Sequence, residues 1–255
     1  MTRLLPIDLH AHIEPAIPAP DLVGLRSLIF AATRSLDEAE LAQGRSDDWT
    51  IWGVGCHPGL VGAQRAFIPE RFEQLITQTA CVSEVGLDEK SRVPMRLQLR
   101  TFDTVLHILQ SSPRITSIHS VGATDRVVHA LEARPIQGAV LHWWLGNHDQ
   151  TIRALELGCY FSVNLSSIRR RGILDLIPSD RILAETDHPF GDRHGGADRR
   201  PGRVSDVEAA LAKHYGVEAD TIRTQTWQNL RDLSTVTRAA GLLPRPVRVA
   251  LAALV

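Results

Sequence analysis

Short apolar or β-branched runs recur eight times along this chain, and they alternate with stretches of helical pattern. Each run is five to seven residues long, which is typical of a buried strand rather than of a helix. The predicted strands are residues 4–10, 27–32, 50–55, 80–86, 115–120, 138–143, 160–164 and 181–187.

Between and after these runs the apolar residues follow a helical period. The predicted helices are residues 36–43, 69–79, 96–110, 124–133, 149–158, 167–177, 205–215 and 219–239. Strands and helices that alternate in this way build βαβ units around a parallel sheet. A (β/α)8 TIM barrel typically takes about 250 residues, and this chain has 255. The pattern therefore predicts an α/β fold of that barrel type.

Histidine and carboxylate residues are concentrated at the ends of five of the predicted strands. They are His10 and His12, Glu84, His119, His142 and Asp187. Side chains at positions i and i+2 of a strand point the same way, so the first two imidazoles can reach one ion. In a barrel, all carboxyl ends of the strands open onto one mouth. The six residues together predict a single two-metal site.

Each of these residues also has an ordinary structural interpretation. A lone histidine is more often solvated or hydrogen-bonded than a metal ligand, and that interpretation suits the other histidines on predicted helices and loops. Glu84 and Asp187 could be buried partners of ion pairs. A carboxylate in an apolar run costs several kcal/mol unless it is paired or bound to a cation. The joint placement of six such residues at strand ends favours the metal site.

Composition is that of an ordinary globular domain, with 44% hydrophobic and 22% charged residues. The net charge of -1 argues against a protein that coats nucleic acid by bulk charge. Cys56, Cys81 and Cys159 have no C-x-x-C spacing, and we expect buried thiols in a reducing compartment. With no signal-peptide pattern and no membrane-length apolar stretch, the expected location is the cytoplasm.

Seven short motifs give the chain a resemblance to the TatD-type metal-dependent hydrolases, within the wider amidohydrolase-like barrels. They are Asp8-Leu9-His10-Ala11-His12, Gly55-Cys56-His57-Pro58, Ser83-Glu84-Val85-Gly86-Leu87-Asp88, Ile118-His119-Ser120, Val140-Leu141-His142, Phe161-Ser162-Val163-Asn164 and Glu185-Thr186-Asp187-His188-Pro189. These motifs come in family order and extend from about Asp8 to Leu233. The first motif alone would be weak evidence, because many hydrolytic barrels carry it.

The resemblance implies one or two divalent metal ions in an enzyme that hydrolyses phosphodiester bonds, mostly in DNA and often from 3′ to 5′. It implies that His10, His12 and Asp187 hold one ion, that His119 and His142 hold the other, and that Glu84 bridges the two. Glu84 and Asp187 are then the catalytic pair, with Asp187 as acceptor of the water's proton.

Around this centre the resemblance implies two further roles. Asp8 and His57 would be groups that support the ligands or contact the substrate. The metal could be Zn²⁺, Mn²⁺, Ni²⁺ or, less readily with so many imidazoles, Mg²⁺.

Two regions depart from the family pattern. After the sixth strand the family commonly has H-C-F-S-G, whereas this chain has His142-Trp143-Trp144-Leu145-Gly146. The tryptophans could stack an unpaired base or pack under a loop. Arginines cluster after the seventh and eighth strands, where barrels commonly bind phosphate, and they could grip a nucleic-acid backbone or form a solvated patch. They are Arg169, Arg170, Arg171, Arg193, Arg199, Arg200 and Arg203, of which Arg199 and Arg203 are the substrate candidates.

The C-terminal segment is unusually apolar for a free end. We divide the chain into a hydrolase barrel at residues 1–240 and a tail at residues 241–255 that packs on the barrel or docks a protein partner. TatD-like hydrolases also occur in multi-gene anti-phage systems, the Qat type among them, and a short member with an added tail would suit such a system.

Three functions are compatible with the sequence. The favoured one is a metal-dependent nuclease or phosphodiesterase with a nucleic-acid substrate. The second is an ester or amide hydrolase, lactonase-like or an aminoacyl-tRNA deacylase. Barrels of the lysine-bridged subgroup are disfavoured, because the fourth strand offers Glu84 and Lys90 lies beyond its end. The third is a non-catalytic scaffold of a defence complex, against which the complete ligand set argues. The sequence does not fix the oligomeric state.

Overall fold

A computed structural model describes residues 4–169, 172–193 and 198–254 of the chain. Eight parallel strands form one sheet in the order β1 to β8. The strands are β1 Ile7–Ala11, β2 Leu28–Ala32, β3 Thr50–Gly55, β4 Cys81–Gly86, β5 Ile115–His119, β6 Ala139–His142, β7 Tyr160–Val163 and β8 Ile182–Ala184. Each of the eight predicted runs overlaps one of these strands, β1 extending one residue past its run, and the (β/α)8 barrel is confirmed.

Helices lie between the strands and after the last one. They are α1 Ala19–Gly24, α2 Leu36–Gln43, α3 Val61–Arg65, α4 Pro69–Ile76, α5 Met95–Ser111, α6 Thr124–Ala133, α7 His148–Glu156, α8 Leu165–Ile168, α9 Ser205–Tyr215, α10 Ala219–Val236 and α11 Arg245–Ala252. Within the described ranges, none of these helices is long and apolar enough to span a membrane.

The barrel closes where its first strand meets the segment after its last. The Asp187 N–H donates to the His10 carbonyl (2.8 Å), and the His12 N–H donates to the His188 carbonyl (3.0 Å). Because both bonds lie at the carboxyl end of the strands, the seam of the barrel runs through the predicted metal ligands.

Local signals explain most helix starts. Ser35 accepts the Glu38 N–H ahead of α2, and Asn147 forms a reciprocal capping box with Gln150 ahead of α7. The predicted helix at 167–177 was wrong. Asn164 caps a helix that ends at Ile168, and Gly172 has a positive φ of 91°. A left-handed residue ends an α-helix, so the helix after β7 is shorter than the apolar pattern suggested.

The floor of the barrel, at the amino ends of the strands, is covered by apolar residues of the last two helices. Trp227 of α10 and Val247 of α11 are fully buried in a cluster with Ile7, Leu28 and Ile115. The indole N–H of Trp227 donates to the Leu5 carbonyl at 2.8 Å. The C-terminal segment described through Leu254 thus lies against the barrel, with Val249 exposed on its outer face.

Candidate metal centre

The fold brings all six predicted ligands to the barrel mouth. His10 lies in β1 and Glu84 in β4, while His119 and His142 end β5 and β6. His12 follows β1 directly, and Asp187 lies three residues beyond β8. Side chains that are far apart in sequence meet here because every strand points the same way.

One side of the centre consists of His10, His12 and Asp187. His12 Nε2 lies 3.4 Å from Asp187 Oδ1 and 3.3 Å from Glu84 Oε2. His10 Nε2 lies 3.8 Å and 3.9 Å from the same two oxygens. These distances leave room for a cation between the four donors.

The other side consists of His119 and His142 and faces the second oxygen of Glu84. His119 Nδ1 lies 3.5 Å from Glu84 Oε1 and 3.3 Å from His142 Nε2. Glu84 therefore presents Oε2 to one group of donors and Oε1 to the other. That arrangement is what a bridging carboxylate requires.

Three sets of donor atoms lie within 4.8 Å of one another in the described part of the chain, and they overlap. The sets are His10, His12 and Asp187; His10, Glu84 and His142; and His57, Glu84 and His119. His57 Nε2 lies 3.2 Å from Glu84 Oε1, and its Nδ1 accepts the Gly59 N–H at 2.8 Å. A neutral His57 therefore carries its proton on Nε2 and donates it toward Glu84.

Buried polar atoms without hydrogen-bond partners test whether this centre fits a metal. Within the described residues, three such atoms face the centre: His10 Nε2, Glu84 Oε2 and Asp187 Oδ1. The other three ligand candidates have theirs on the ring nitrogen turned away from the centre: His12 Nδ1, His119 Nε2 and His142 Nδ1. An unpaired buried polar group costs about 1–3 kcal/mol, and this many in one place is unusual. Imidazole and carboxylate donors suit a divalent transition metal, so the residues fit the group.

Electrostatics keeps Glu84, the predicted bridging carboxylate, ionised. Burial would raise the pKa of Glu84, but His12 and His57 beside it hold that pKa well below its usual range. For His119, burial alone would lower the pKa. The neighbouring carboxylates of Asp88 and Glu84 outweigh burial and raise that pKa to about 9. A metal ion that binds His119 must therefore displace a proton near neutral pH.

Burial dominates the pKa shifts of His10 and Asp187. Burial and the neighbouring His142 hold the pKa of His10 well below its usual range, so this imidazole is neutral with a free lone pair. Burial also raises the pKa of Asp187. A carboxylate with a raised pKa is a better proton acceptor than an ordinary one, which suits a general base.

The backbone is strained at three positions around the centre. Glu84, Trp143 and Asp187 have φ values of 44°, 41° and 45°, a region that non-glycine residues seldom adopt. The register of β4 with β5 also shifts between Val82 and Val85, around Glu84. Such irregularities re-aim side chains at the rims of barrels, and the three strained residues here all line the cavity at the barrel mouth.

Asp8 is not among the groups of donor atoms that could hold a metal in the described part of the chain. Its carboxylate accepts the Thr186 N–H (2.8 Å), the Thr186 hydroxyl (2.6 Å) and the Gly202 N–H (2.8 Å). Burial raises the pKa of Asp8 to about 7 although these bonds oppose the shift. The side chain ties β1 to the segment that carries Asp187.

A cavity of about 260 Å³ opens above the ligands. Arg34, Leu60, Trp143 and Phe190 line it. Sequence reasoning missed Arg34, although it follows the second strand by two residues, because one arginine at a strand end carries no signal of its own. Its guanidinium is held by Glu38 at 3.1 Å.

The paired tryptophans divide their roles. Trp144 is buried, donates to the Thr151 hydroxyl at 2.9 Å and packs on Phe161. Trp143 instead lines the cavity. The packing role thus applies to Trp144, and base stacking by Trp143 stays a prediction.

The candidate arginines after β8 lie in a separate small cleft. Arg203 pairs with Asp198 at 3.2 Å, and Arg199 lines the same cleft. Neither lines the metal cavity. Arg170 and Arg171 lie outside the described residues.

Comparison with known proteins identifies the family. The sequence model of the TatD related DNase family matches residues 7–234. The chain belongs to this family. It is 25% identical over 234 residues to a protein of Klebsiella pneumoniae named 3'-5' ssDNA/RNA exonuclease TatD, covering 82% of this chain and 87% of that one. It is also 25% identical over 203 residues to an uncharacterized metal-dependent hydrolase of Haemophilus influenzae, covering 71% and 76%.

Solved structures share the fold. The TatD homolog YJJV from Escherichia coli K12 superposes with a TM-score of 0.75 at 21% identity, covering 89% of this chain and 97% of that one. A TatD family hydrolase from Entamoeba histolytica gives a TM-score of 0.74 at 14% identity, covering 91% and 99%. The chain is a TatD-like metal-dependent hydrolase with a TIM-barrel fold.

Proposed function

We propose that this protein is a metal-dependent nuclease that cleaves phosphodiester bonds of single-stranded DNA or RNA. The observation that carries the proposal is the centre of six converging ligand candidates, in which His10 Nε2, Glu84 Oε2 and Asp187 Oδ1 are buried and face one another without a hydrogen-bond partner among the described residues. The exonuclease name of the Klebsiella relative supports this choice of substrate.

The residues would divide the work as their positions suggest. His10, His12 and Asp187 would hold one cation, His119 and His142 a second, and Glu84 would bridge them. Such a pair lowers the pKa of a water and neutralises charge on the attacking and leaving oxygens. Asp187 would accept the proton of the attacking water, and His57 would donate its one N–H, on Nε2, to Glu84.

The cavity walls suit a nucleotide. Trp143 and Phe190 offer aromatic faces against which an unpaired base can stack. Arg34 offers a guanidinium that can bind a phosphate next to the scissile one. A base and a phosphate held in this way would place one phosphodiester over the ligands.

The decisive experiment compares substrates. Metal-depleted protein is reloaded with Zn²⁺, Mn²⁺, Ni²⁺ or Mg²⁺ and given labelled single-stranded DNA, RNA and a panel of esters and aminoacyl-tRNAs. We expect nucleotides to be released from the nucleic acids, with His10→Ala inactive and the exposed His148→Ala active. Turnover of esters or aminoacyl-tRNA without nuclease activity would establish the hydrolase alternative instead, and a metal-bound protein inactive on every substrate would support the scaffold.

Three wider assignments rest on the sequence alone and stay proposals: a cytoplasmic location, a role in anti-phage defence, and a partner docked through residues 241–255. The burial of Val247 and Leu251 against the barrel leaves the outer face of α11, with Val249, as the surface for such a partner.

A further inference from the structure

The two histidines on one side of the centre each face a second carboxylate that is outside the ligand set. His142 Nδ1 lies 3.7 Å from Glu185 Oε1, and His119 Nε2 lies 3.5 Å from Asp88 Oδ2. Both of these imidazole nitrogens are buried and have no hydrogen-bond partner of good geometry in the described part of the chain. They point away from Glu84, whereas the inner nitrogens of the two rings lie 3.3 Å apart.

Glu185 is a fully buried carboxylate, and the arginines that share a small cleft with it, Arg199, Arg200 and Arg203, form no ion pair with it among the described residues. It accepts the Trp143 N–H (3.0 Å), the Asn164 amide (3.0 Å) and the Ser162 hydroxyl, all of them neutral donors. Within the described ranges it forms no ion pair with lysine or arginine, and His142 is its one titratable partner. A buried charge needs a compensating positive charge nearby. The metal centre, reached through His142, can supply it.

Asp88 has the same relation to His119. Its Oδ1 accepts the Lys90 N–H at 2.9 Å, which leaves Oδ2 facing the imidazole. In the described structure no lysine or arginine side chain pairs with it. The carboxylate lines the cavity and is only 15% exposed.

The opposite side of the centre is built differently. His10 Nδ1 meets the neutral Ser117 hydroxyl at 2.8 Å, and His12 Nδ1 has no partner among the described residues. Negative charge on that side comes from a direct ligand, Asp187. The side of His119 and His142 has no direct carboxylate apart from the shared Glu84, and its additional negative charge lies behind the imidazoles.

We propose that Glu185 and Asp88 are positioning residues that accept the outer N–H groups of His142 and His119 and so aim His142 Nε2 and His119 Nδ1 at one cation. The inference rests on the proposed metal centre. A carboxylate behind a ligating imidazole fixes its tautomer and makes it a stronger donor, and its loss typically costs about 10–100-fold in metal affinity.

Two variants test this role. Glu185→Gln keeps an oxygen for Trp143 and Asn164 and offers its NH₂ to the Ser162 hydroxyl, so the fold is retained while the charge is lost. Asp88→Asn makes the same change on a less buried side chain and carries the test if the first variant does not fold. The matched control is Asp192→Asn, because Asp192 backs His188, 2.7 Å away, outside the ligand set.

The measurement is Zn²⁺ binding by competition with a chelator, together with ¹⁵N spectra of the histidine rings in the loaded protein. We expect wild type and the control to bind two ions, with outer N–H signals from His142 and His119. In each variant one ion should bind about 10–100-fold more weakly, and the outer N–H signal of the affected ring should shift. The other ion should bind as in wild type.

The outcomes separate this inference from the metal centre itself. Wild type that binds two ions, with variants that bind both at wild-type affinity and show unshifted ring signals, would overturn the positioning role and leave the centre intact. Wild type that binds fewer than two ions would overturn both.

Discussion

The mouth and the floor of this barrel are built from the same eight strands, yet they use opposite chemistry. At the mouth, each of the six predicted ligands has a buried polar atom without a partner among the described residues, and Glu84, Trp143 and Asp187 adopt strained left-handed backbone. At the floor, Trp227, Val247 and their neighbours are buried, and the indole N–H of Trp227 has its partner in Leu5. Strain and unsatisfied groups destabilise the mouth, whereas apolar burial stabilises the floor.

This contrast shows how one fold separates function from stability. In barrels of this class, residues at the carboxyl ends of strands serve chemistry, and residues at the amino ends serve stability. Substitutions at the two ends of the barrel should therefore change different measured properties. Mouth variants should change metal content and turnover, and floor variants should change the free energy of unfolding.

The largest effect is expected from Glu84→Ala at the mouth. Because Glu84 faces both groups of donors, its loss should abolish activity and remove most of the metal together. Elemental analysis and turnover on the same sample check this, with the exposed Glu73→Ala on α4 as the control that keeps both. Wild-type metal content and turnover in Glu84→Ala would disprove the bridging role.

A smaller effect is expected from Asp187→Asn, which keeps an oxygen donor but loses basicity. Asparagine tolerates the left-handed φ of 45° at this position, so the fold should be retained. Turnover should fall by about 10²–10⁴-fold, as for a lost general base, while metal is partly kept. Near-normal hydrolysis at saturating metal would mean that the proton goes elsewhere. His188 is then the next acceptor, because both ring nitrogens of a neutral His57 are already engaged.

Metal binding at the mouth should also depend on pH. In the metal-free protein the pKa of His119 is raised to about 9, so the ring is protonated at pH 7 and the metal must displace that proton. Affinity should rise by up to about tenfold per pH unit between pH 7 and 9. The stability of the metal-free protein should change in the opposite sense. Because the pKa of His119 is higher in the folded protein than its unfolded value of 6.5, the protonated ring stabilises the fold fully below pH 6.5. This contribution is lost as the pH rises through 9.

Chelator competition at pH 7, 8 and 9 measures the affinity, and thermal unfolding of the metal-free protein over the same range measures the stability. Metal affinity that does not change with pH would show that His119 binds without releasing a proton.

The smallest effect is expected at the floor, from two matched substitutions on α11. Val247 is fully buried and Val249 is 62% exposed. Val247→Ala should lower the free energy of unfolding by about 1–2 kcal/mol, and Val249→Ala should change it by less than about 0.5 kcal/mol. Denaturant unfolding measures both, and turnover at saturating metal should stay at the wild-type level. Equal effects of the two substitutions would contradict the packing of α11 on the floor.

The fold was predictable from sequence because strand runs and helix periods are local signals. The ligands could be proposed as well, since strand ends in a parallel barrel converge. What the sequence did not show was which side chains meet across long separations. Glu185 and Asp88 were noticed within motifs without a role, because their imidazole partners come from other strands. The helix at 167–177 failed because an early cap and Gly172 outweighed its apolar pattern.

The hydrogen bonds that join β1 to the segment after β8 also constrain when, during folding, the metal centre can form. The centre combines ligands from residue 10 to residue 187, and the Asp187 N–H bonds the His10 carbonyl. A chain emerging from the ribosome therefore has no complete centre until its first and last strands meet, and contacts of such long range form late in folding. Metal uptake would then report that the ring of strands has closed, so that cleavage activity arises only in a finished molecule.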